Sequence, residues 1–307
     1  MTQSFRPAGY GSTYGSIRGS SSIVGMVHSP KYGPRSIAIR ETPGMDLDLQ
    51  GTRCIITGGS DGIGAATARV LAAEGASVGL VARRREMLEA VAAECLTLGA
   101  PIAAVAVADL RDAEQQAAAF DALIADFGGV DVLVNNAGDS KMGTIEALDD
   151  EAWRESFDLK LMGYVRGMRH VLPVMRAQRS GCIVNVLGTA GTQPSGGYVL
   201  SCFVTALTQL TASVADDVAG DGVRVVGLGP GFTATERIRG AVGRMAEQAG
   251  KDVDEFVEEF GRTAVPIGRV ATAEEMGRLV AVLASDTVSG FVTGTQLIAD
   301  GGSSRSF

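Results

Sequence analysis

The chain has 307 residues, 46% of them hydrophobic and 20% charged, which is enough for one large domain or two small ones and too apolar for a disordered segment. A net charge of −8 gives no case for nucleic-acid binding, and apolar runs that are short and broken by glycine or charge predict no membrane span. Four scattered cysteines without a C-x-x-C pair, with only two histidines, predict neither a metal site nor a disulfide framework, so a reducing cytoplasm is the expected location.

Residues 1–45 differ from the rest. They are rich in Gly, Ser, Tyr and Pro, and Arg6, Arg18, Lys31, Arg35 and Arg40 against Glu41 make them basic. They contain no uninterrupted apolar run of the kind a secretory signal needs. Three readings stay open: a flexible tail, a misassigned start ahead of Met45, or an arm that packs on a neighbouring subunit through Ile17, Ile23, Val24, Met26, Ile37 and Ile39.

From Leu49 onward, short Val/Ile/Leu runs alternate with amphipathic stretches. Strands are expected at Arg53–Thr57, Ser77–Ala82, Ile102–Val107, Val130–Val134, Cys182–Val186, Val223–Leu228 and Gly294–Ile298. Helices are expected at Ile63–Glu74, Arg83–Leu98, Ala113–Phe127, Glu151–Arg176, Ser201–Ala219 and Glu274–Leu283. Apolar strands alternating with helices predict a parallel sheet covered on both faces, and right-handed crossovers make it doubly wound. The ligand crevice of such a sheet lies at the carboxyl ends of its strands.

Four strand ends carry distinctive residues. The first opens into Gly58-Gly59-Ser60-Asp61-Gly62-Ile63-Gly64. Glycines there let the backbone approach a pyrophosphate closely, with the next helix's N-terminus aimed at the negative charge. The second strand is followed by Arg83, Arg84 and Arg85, where an acidic residue would bind the free 2′-hydroxyl of NAD and an arginine offers a fork to the 2′-phosphate of NADP. Asp61 is not basic, so the NADP signal rests on Arg83 and Arg84. Asp109 and Leu110 follow the third strand, at the expected adenine edge, and Asn135-Asn136-Ala137-Gly138 follows the fourth.

With these residues the chain resembles the short-chain dehydrogenase/reductase family. The resemblance extends through Ile183-Val-Asn185, Gly222-Val-Arg-Val225, Pro230-Gly231 and Asp300-Gly-Gly302, and covers residues 47–302. It implies an α/β fold, a Rossmann-type doubly wound parallel sheet in a single domain at 46–307, with residues 1–45 as an N-terminal extension. It implies an NAD(P)(H) cofactor, a small-molecule substrate and a homodimer or homotetramer. Gly58, Ser60, Asp61, Gly62, Ile63, Gly64, Arg83, Arg84, Asp109, Leu110, Asn135, Ala137, Gly138, Pro230, Gly231, Phe232 and Thr233 are the cofactor-binding residues it implies, with NADP(H) preferred. Residues 236–262 would be the lid over the substrate, and Ile238, Val242, Met245, Phe256, Val257 and Phe260 point to an apolar or cyclic substrate.

At the catalytic positions the resemblance fails. The family uses an Asn, a Ser, a Tyr and a Lys: Tyr exchanges a proton with the substrate oxygen, Lys lowers its pKa, Ser orients the carbonyl, and Asn anchors a proton relay. Here Lys160 stands at the Asn position, Leu187 and Gly188 stand where serine is expected, and no Tyr-x-x-x-Lys follows. Counting back from Pro230 puts Leu200 at the Tyr position and Val204 at the Lys position. The nearby phenol is Tyr198, which a loop two residues longer would bring into place. Tyr198 as acid/base and Lys160 as its support are the catalytic expectation. Thr189, Thr192, Ser195 and Ser201 are small polar residues in the same stretch that could orient a substrate oxygen. Three functions remain open: an NADP(H)-dependent oxidoreductase, an enzyme of this fold running dehydration, cyclisation or isomerisation, and an inactive NADP-binding partner subunit.

Overall fold

The computed structural model describes residues 24–29, 33–38, 46–139, 143–191, 198–248 and 250–305. The chain forms two units, 1–46 and 47–307. In the first, β1 (Val24–Ser29) pairs antiparallel with β2 (Gly33–Ala38), in register from Val24 opposite Ala38 to Ser29 opposite Gly33. Val24, Met26 and Ile37 of the expected arm fall in these strands, whereas Ile17, Ile23 and Ile39 lie outside the described residues.

The second unit alternates strand and helix: β3 (Arg53–Thr57), α1 (Gly62–Ala73), β4 (Ser77–Ala82), α2 (Arg85–Leu98), β5 (Ala103–Val107), α3 (Ala113–Phe127), β6 (Val132–Asn135), α4 (Asp150–Ser156), α5 (Gly163–Gln178), β7 (Gly181–Val186), α6 (Tyr198–Val218) and β8 (Val223–Pro230). Then come the short β9 (Thr233–Ala234), α7 (Glu236–Gln248), α8 (Val253–Ala264), β10 (Ala271–Thr272), α9 (Ala273–Ala284), α10 (Asp286–Ser289) and β11 (Gln296–Ala299). Seven strands make one sheet in the order β11-β8-β7-β6-β3-β4-β5, and every pair in it is parallel. This is the Rossmann-type sheet the alternation predicted. The strand order reverses at β3, so a crevice opens above its carboxyl end, between β3 and β6.

Alternate strand residues point to opposite faces. Cys54, Ile56, Val78, Leu80 and Val184 join Leu71 of α1, Leu88 of α2 and Val280 of α9 in one layer. Ile55, Val81, Leu133, Ile183 and Val225 join Phe120 of α3, Met168 and Val171 of α5, and Val218 of α6 in the other. Cys54, Cys95 and Cys182 are buried in these layers and Cys202 is exposed; all four thiols are free, and burial pushes the Cys95 and Cys182 thiols up to about 11. The segment 199–221 has the length and mean hydropathy, 1.3, of a membrane span. Its apolar face is accounted for by the sheet, where Val204, Leu207, Ala215 and Val218 are buried.

Residues 236–262, expected to be helical, fall on α7 and α8. One element departs from the expected pattern. The helix expected at Glu151–Arg176 is interrupted: between α4 and α5 the chain makes a π-helical turn, Phe157–Met162. Side chains from elsewhere support it. Gln116 of α3 donates to the Gly163 carbonyl (2.8 Å), and the Arg166 guanidinium reaches the carbonyls of Leu110, Arg111 and Asp158.

Candidate active site

The glycine turn is held by β6. Thr57 at the end of β3 donates its hydroxyl to the Val134 carbonyl (3.2 Å) and accepts the N–H groups of Asn136 (2.9 Å) and Ala137 (3.1 Å). The Asn136 amide donates back to the Thr57 carbonyl (2.9 Å). Gly58 has φ +69°, and a Cβ there would lie 2.8 Å from Asn136 Nδ2; one on Gly64 would overlap the Gly58 carbonyl oxygen. Asp61 caps α1 by accepting the Gly62 N–H (2.6 Å). The turn is therefore folded on itself with no room for a side chain where a phosphate would approach the helix N-terminus.

The two asparagines have different roles. Asn136 lines the crevice. Asn135, expected among the cofactor-binding residues, is fully buried behind it: its amide donates to Asn185 (3.0 Å), Asn185 donates to Thr211 (3.0 Å), and Thr211 donates to the Leu207 carbonyl (2.7 Å). That chain ties β6 and β7 to α6.

A cleft of about 810 Å³ runs across the carboxyl ends of the strands. Of the expected cofactor residues, Gly58, Ser60, Asp61, Gly62, Ile63, Arg83, Arg84, Asp109, Leu110, Ala137, Gly138, Pro230, Gly231, Phe232 and Thr233 line it; Gly64 and Asn135 support it from within. At its outer end Arg84 lies 3.3 Å from the Ser60 hydroxyl and 3.5 Å from the Asp61 carboxylate. Arg111, which the sequence reading passed over, clasps Asp109 through Nη2 (2.5 Å) and Nε (3.0 Å). The Arg111 guanidinium holds the Asp109 carboxyl below its usual range, and Arg83 adds to the effect. A glycine turn at a helix N-terminus with cations at the ribose end fits a dinucleotide carrying phosphates.

The opposite end of the cleft is built on the π turn. Lys160 is 6% exposed, and its ammonium donates to the Tyr164 hydroxyl and to the Val186 carbonyl, both at 2.7 Å. The hydroxyl of Tyr164 donates to the same carbonyl (2.8 Å). Leu187 is buried with Tyr164, Val204 and Leu207. Gly188 has φ +99° with open space at its Cβ position. Leu200 faces the cleft and Val204 is fully buried. Tyr198 is the first residue of α6; its side chain, like Thr192 and Ser195, lies outside the described residues. Thr189 and Ile238 line the cleft, and Phe232 stacks edge-on against Phe260 of α8, with ring centroids 4.6 Å apart.

A family model described as short chain dehydrogenase matches residues 52–245. The chain belongs to this family. It is 35% identical over 266 residues to the uncharacterized oxidoreductase YvrD of Bacillus subtilis, covering 85% of this chain and all of that protein. It is 37% identical over 252 residues to the cis-4-hydroxycyclohexanecarboxylate dehydrogenase of Sinomonas cyclohexanicum, covering 81% of this chain and 94% of that one. Among solved structures, L-sorbose reductase from Gluconobacter frateurii in complex with NADPH and L-sorbose superposes with a TM-score of 0.81 at 29% identity, covering 86% of this chain and all of that one.

As a short-chain dehydrogenase the protein is an oxidoreductase with a nicotinamide cofactor. Of the functions left open by the sequence, membership selects the oxidoreductase. Leu187, Gly188, Leu200 and Val204 stand at the positions that the resemblance assigns to the reacting serine, tyrosine and lysine; Leu187 and Val204 are buried in one cluster, and Gly188 and Leu200 line the cleft with Lys160.

Proposed function

We propose that the protein is an NADP(H)-dependent oxidoreductase that interconverts a carbonyl and an alcohol on an apolar or cyclic small molecule. The observation that carries the cofactor preference is the position of Arg84, leaning over Ser60 at the carboxyl end of β4 with Arg83 beside it. A guanidinium there meets a 2′-phosphate with charge-assisted hydrogen bonds. When bound, the dinucleotide supplies or accepts a hydride at its nicotinamide ring. The glycine turn receives its phosphates, Asp109 meets the adenine edge, and Pro230 to Thr233 hold the nicotinamide end. Lys160 and Tyr198 are the two candidates for the acid–base work. An apolar substrate is favoured by Leu187, Leu200, Phe232 and Ile238 around the inner cleft. Assembly into a homodimer or homotetramer is favoured by Leu297 and Ile298 exposed on the edge strand β11, with Phe291 nearby in sequence. Free thiols accord with a cytoplasmic location.

Fluorescence titration tests the cofactor reading. Wild type binds NADPH more tightly than NADH, and Arg83→Ala/Arg84→Ala weakens NADPH by about tenfold or more while leaving NADH nearly unchanged, as expected for lost charged hydrogen bonds. Equal affinity for the two cofactors in wild type overturns the NADP preference.

A further inference from the structure

Tyr164 does not line the cleft and is 1% exposed. It follows Lys160 by four residues, so both side chains rise from one face of the helix. With the Val186 carbonyl they close a triangle whose sides are 2.7, 2.7 and 2.8 Å. The donor pattern within it is fixed. The carbonyl accepts from both groups, and the phenol donates its one proton to the carbonyl and accepts from the ammonium. The Tyr164 hydroxyl thus has no proton to offer the cleft; its role is to hold Nζ.

Two further contacts fix the lysine. Nζ lies 4.5 Å from the Tyr164 ring centroid, at the hydroxyl end of the ring. On the other side the stem fits against Gly138, where a Cβ would lie 2.7 Å from Lys160 Cδ and 3.2 Å from Nζ. Lys160 is therefore a buried, pre-oriented ammonium in the wall of a cleft that Val186, Leu187, Gly188 and Leu200 also line.

We propose that Lys160 is the proton donor to the substrate's carbonyl oxygen and that Tyr164 is its positioning residue; this rests on the carbonyl–alcohol reading above. In the reductive direction the carbonyl carbon gains the hydride furnished by the reduced nicotinamide dinucleotide. The π pair of the C=O bond withdraws to oxygen, and that oxygen takes one proton from the ammonium. Lys160 is left as a neutral amine and regains a proton from water. Oxidation of the alcohol runs the same transfers in reverse.

Three measurements on the full chain test this: NADPH binding by fluorescence, steady-state reduction of 4-oxocyclohexanecarboxylate and cyclohexanone, and NMR of ligand-free protein carrying [¹³Cε]-lysine. The sequence has only four lysines, so the Lys160 signal is assigned by its loss in Lys160→Arg. Lys160→Met is expected to lower kcat by about a hundredfold or more, the range of a lost general acid, with NADPH affinity within about threefold of wild type. Tyr164→Phe keeps the ring and removes the hydroxyl; it is expected to lower kcat about tenfold at unchanged KM and to move the Lys160 resonance. Tyr198→Phe is expected to keep most of the turnover. The proposal is overturned if Lys160→Met turns over like wild type, or if Tyr198→Phe alone abolishes turnover. It is also overturned if Tyr164→Phe leaves both kcat and the resonance unmoved, or raises only the KM for NADPH. If wild type binds NADPH and reduces neither ketone, the carbonyl–alcohol reading fails and takes the proposal with it; turnover by Lys160→Met overturns the proposal alone.

Discussion

The two ends of the cleft are built on different principles. At the cofactor end, backbone geometry does the work: glycines with no room for a Cβ, a helix N-terminus, and the Thr57–Asn136 clasp that holds them. At the proposed substrate end, side chains do the work. A buried lysine is held by a tyrosine and a carbonyl, and the neighbouring positions are apolar core. A site made of backbone tolerates little change, because the ligand's phosphates are the same in every member. A site made of side chains can be rebuilt around another proton carrier while the sheet beneath it stays intact.

This contrast is broken most directly at the turn. Gly64→Ala puts a methyl group into the Gly58 carbonyl, which neither backbone can avoid. We expect NADPH binding to fall below detection, a loss of at least about 3 kcal/mol, comparable to the upper end of overpacking costs. Fluorescence titration checks this, with circular dichroism to establish that the sheet remains. Retained affinity would mean that the turn is more pliant than its packing indicates.

The substrate end gives a smaller effect of a different kind. Leu187→Ser restores the family's residue type but removes a side chain buried with Tyr164, Val204 and Leu207. A loss of about 3 kcal/mol in stability is expected, as for a large-to-small core change, with no gain in kcat. Thermal or urea unfolding and steady-state kinetics read the two quantities separately. A gain in turnover would show that the wall is a damaged form of the usual site and not a substitute for it.

The smallest effect lies away from both ends, on α9, whose N-terminus Thr272 and Glu275 close in a capping box. The Arg269 guanidinium, with the Thr272 N–H, holds the Glu275 carboxyl down to about 2. A folded-state pKa below the unfolded value near 4.3 stabilises above that pH, and the benefit is lost as pH falls toward 2. Glu275→Gln is therefore expected to cost less than about 1 kcal/mol at pH 7, because the pair is partly exposed. Urea unfolding at several pH values should show the difference from wild type vanishing near pH 2. A difference that persists there would assign the effect to the cap hydrogen bonds alone.

Much of this molecule was legible residue by residue. Gly58, Ser60, Asp61, Gly62 and Ile63 of the glycine turn, Arg83 and Arg84, Asp109 and Pro230-Gly231 are local signals, and they meet in one cleft. Asn135 and Asn136 were not separable, because two identical neighbours at a strand end point to opposite sides and the sequence does not say which faces the ligand. Arg111 escaped because its role depends on a turn that brings it back to Asp109, although its spacing of two from that aspartate was a usable sign. Tyr164 escaped because a tyrosine on an amphipathic helix reads as core; its spacing of four from Lys160 was the sign available.

The sequence alone determined the parallel α/β sheet and the crevice at the carboxyl ends of its strands, because periodicity and turn chemistry are local properties. The tertiary structure alone decided which groups meet around Lys160. The π turn at Phe157–Met162 contains no proline or glycine to announce it; Gln116, from α3, bonds the carbonyl of the residue that follows it. The triangle of Lys160, Tyr164 and Val186 joins that helix to the end of β7, two segments more than twenty residues apart that meet only when the sheet has formed.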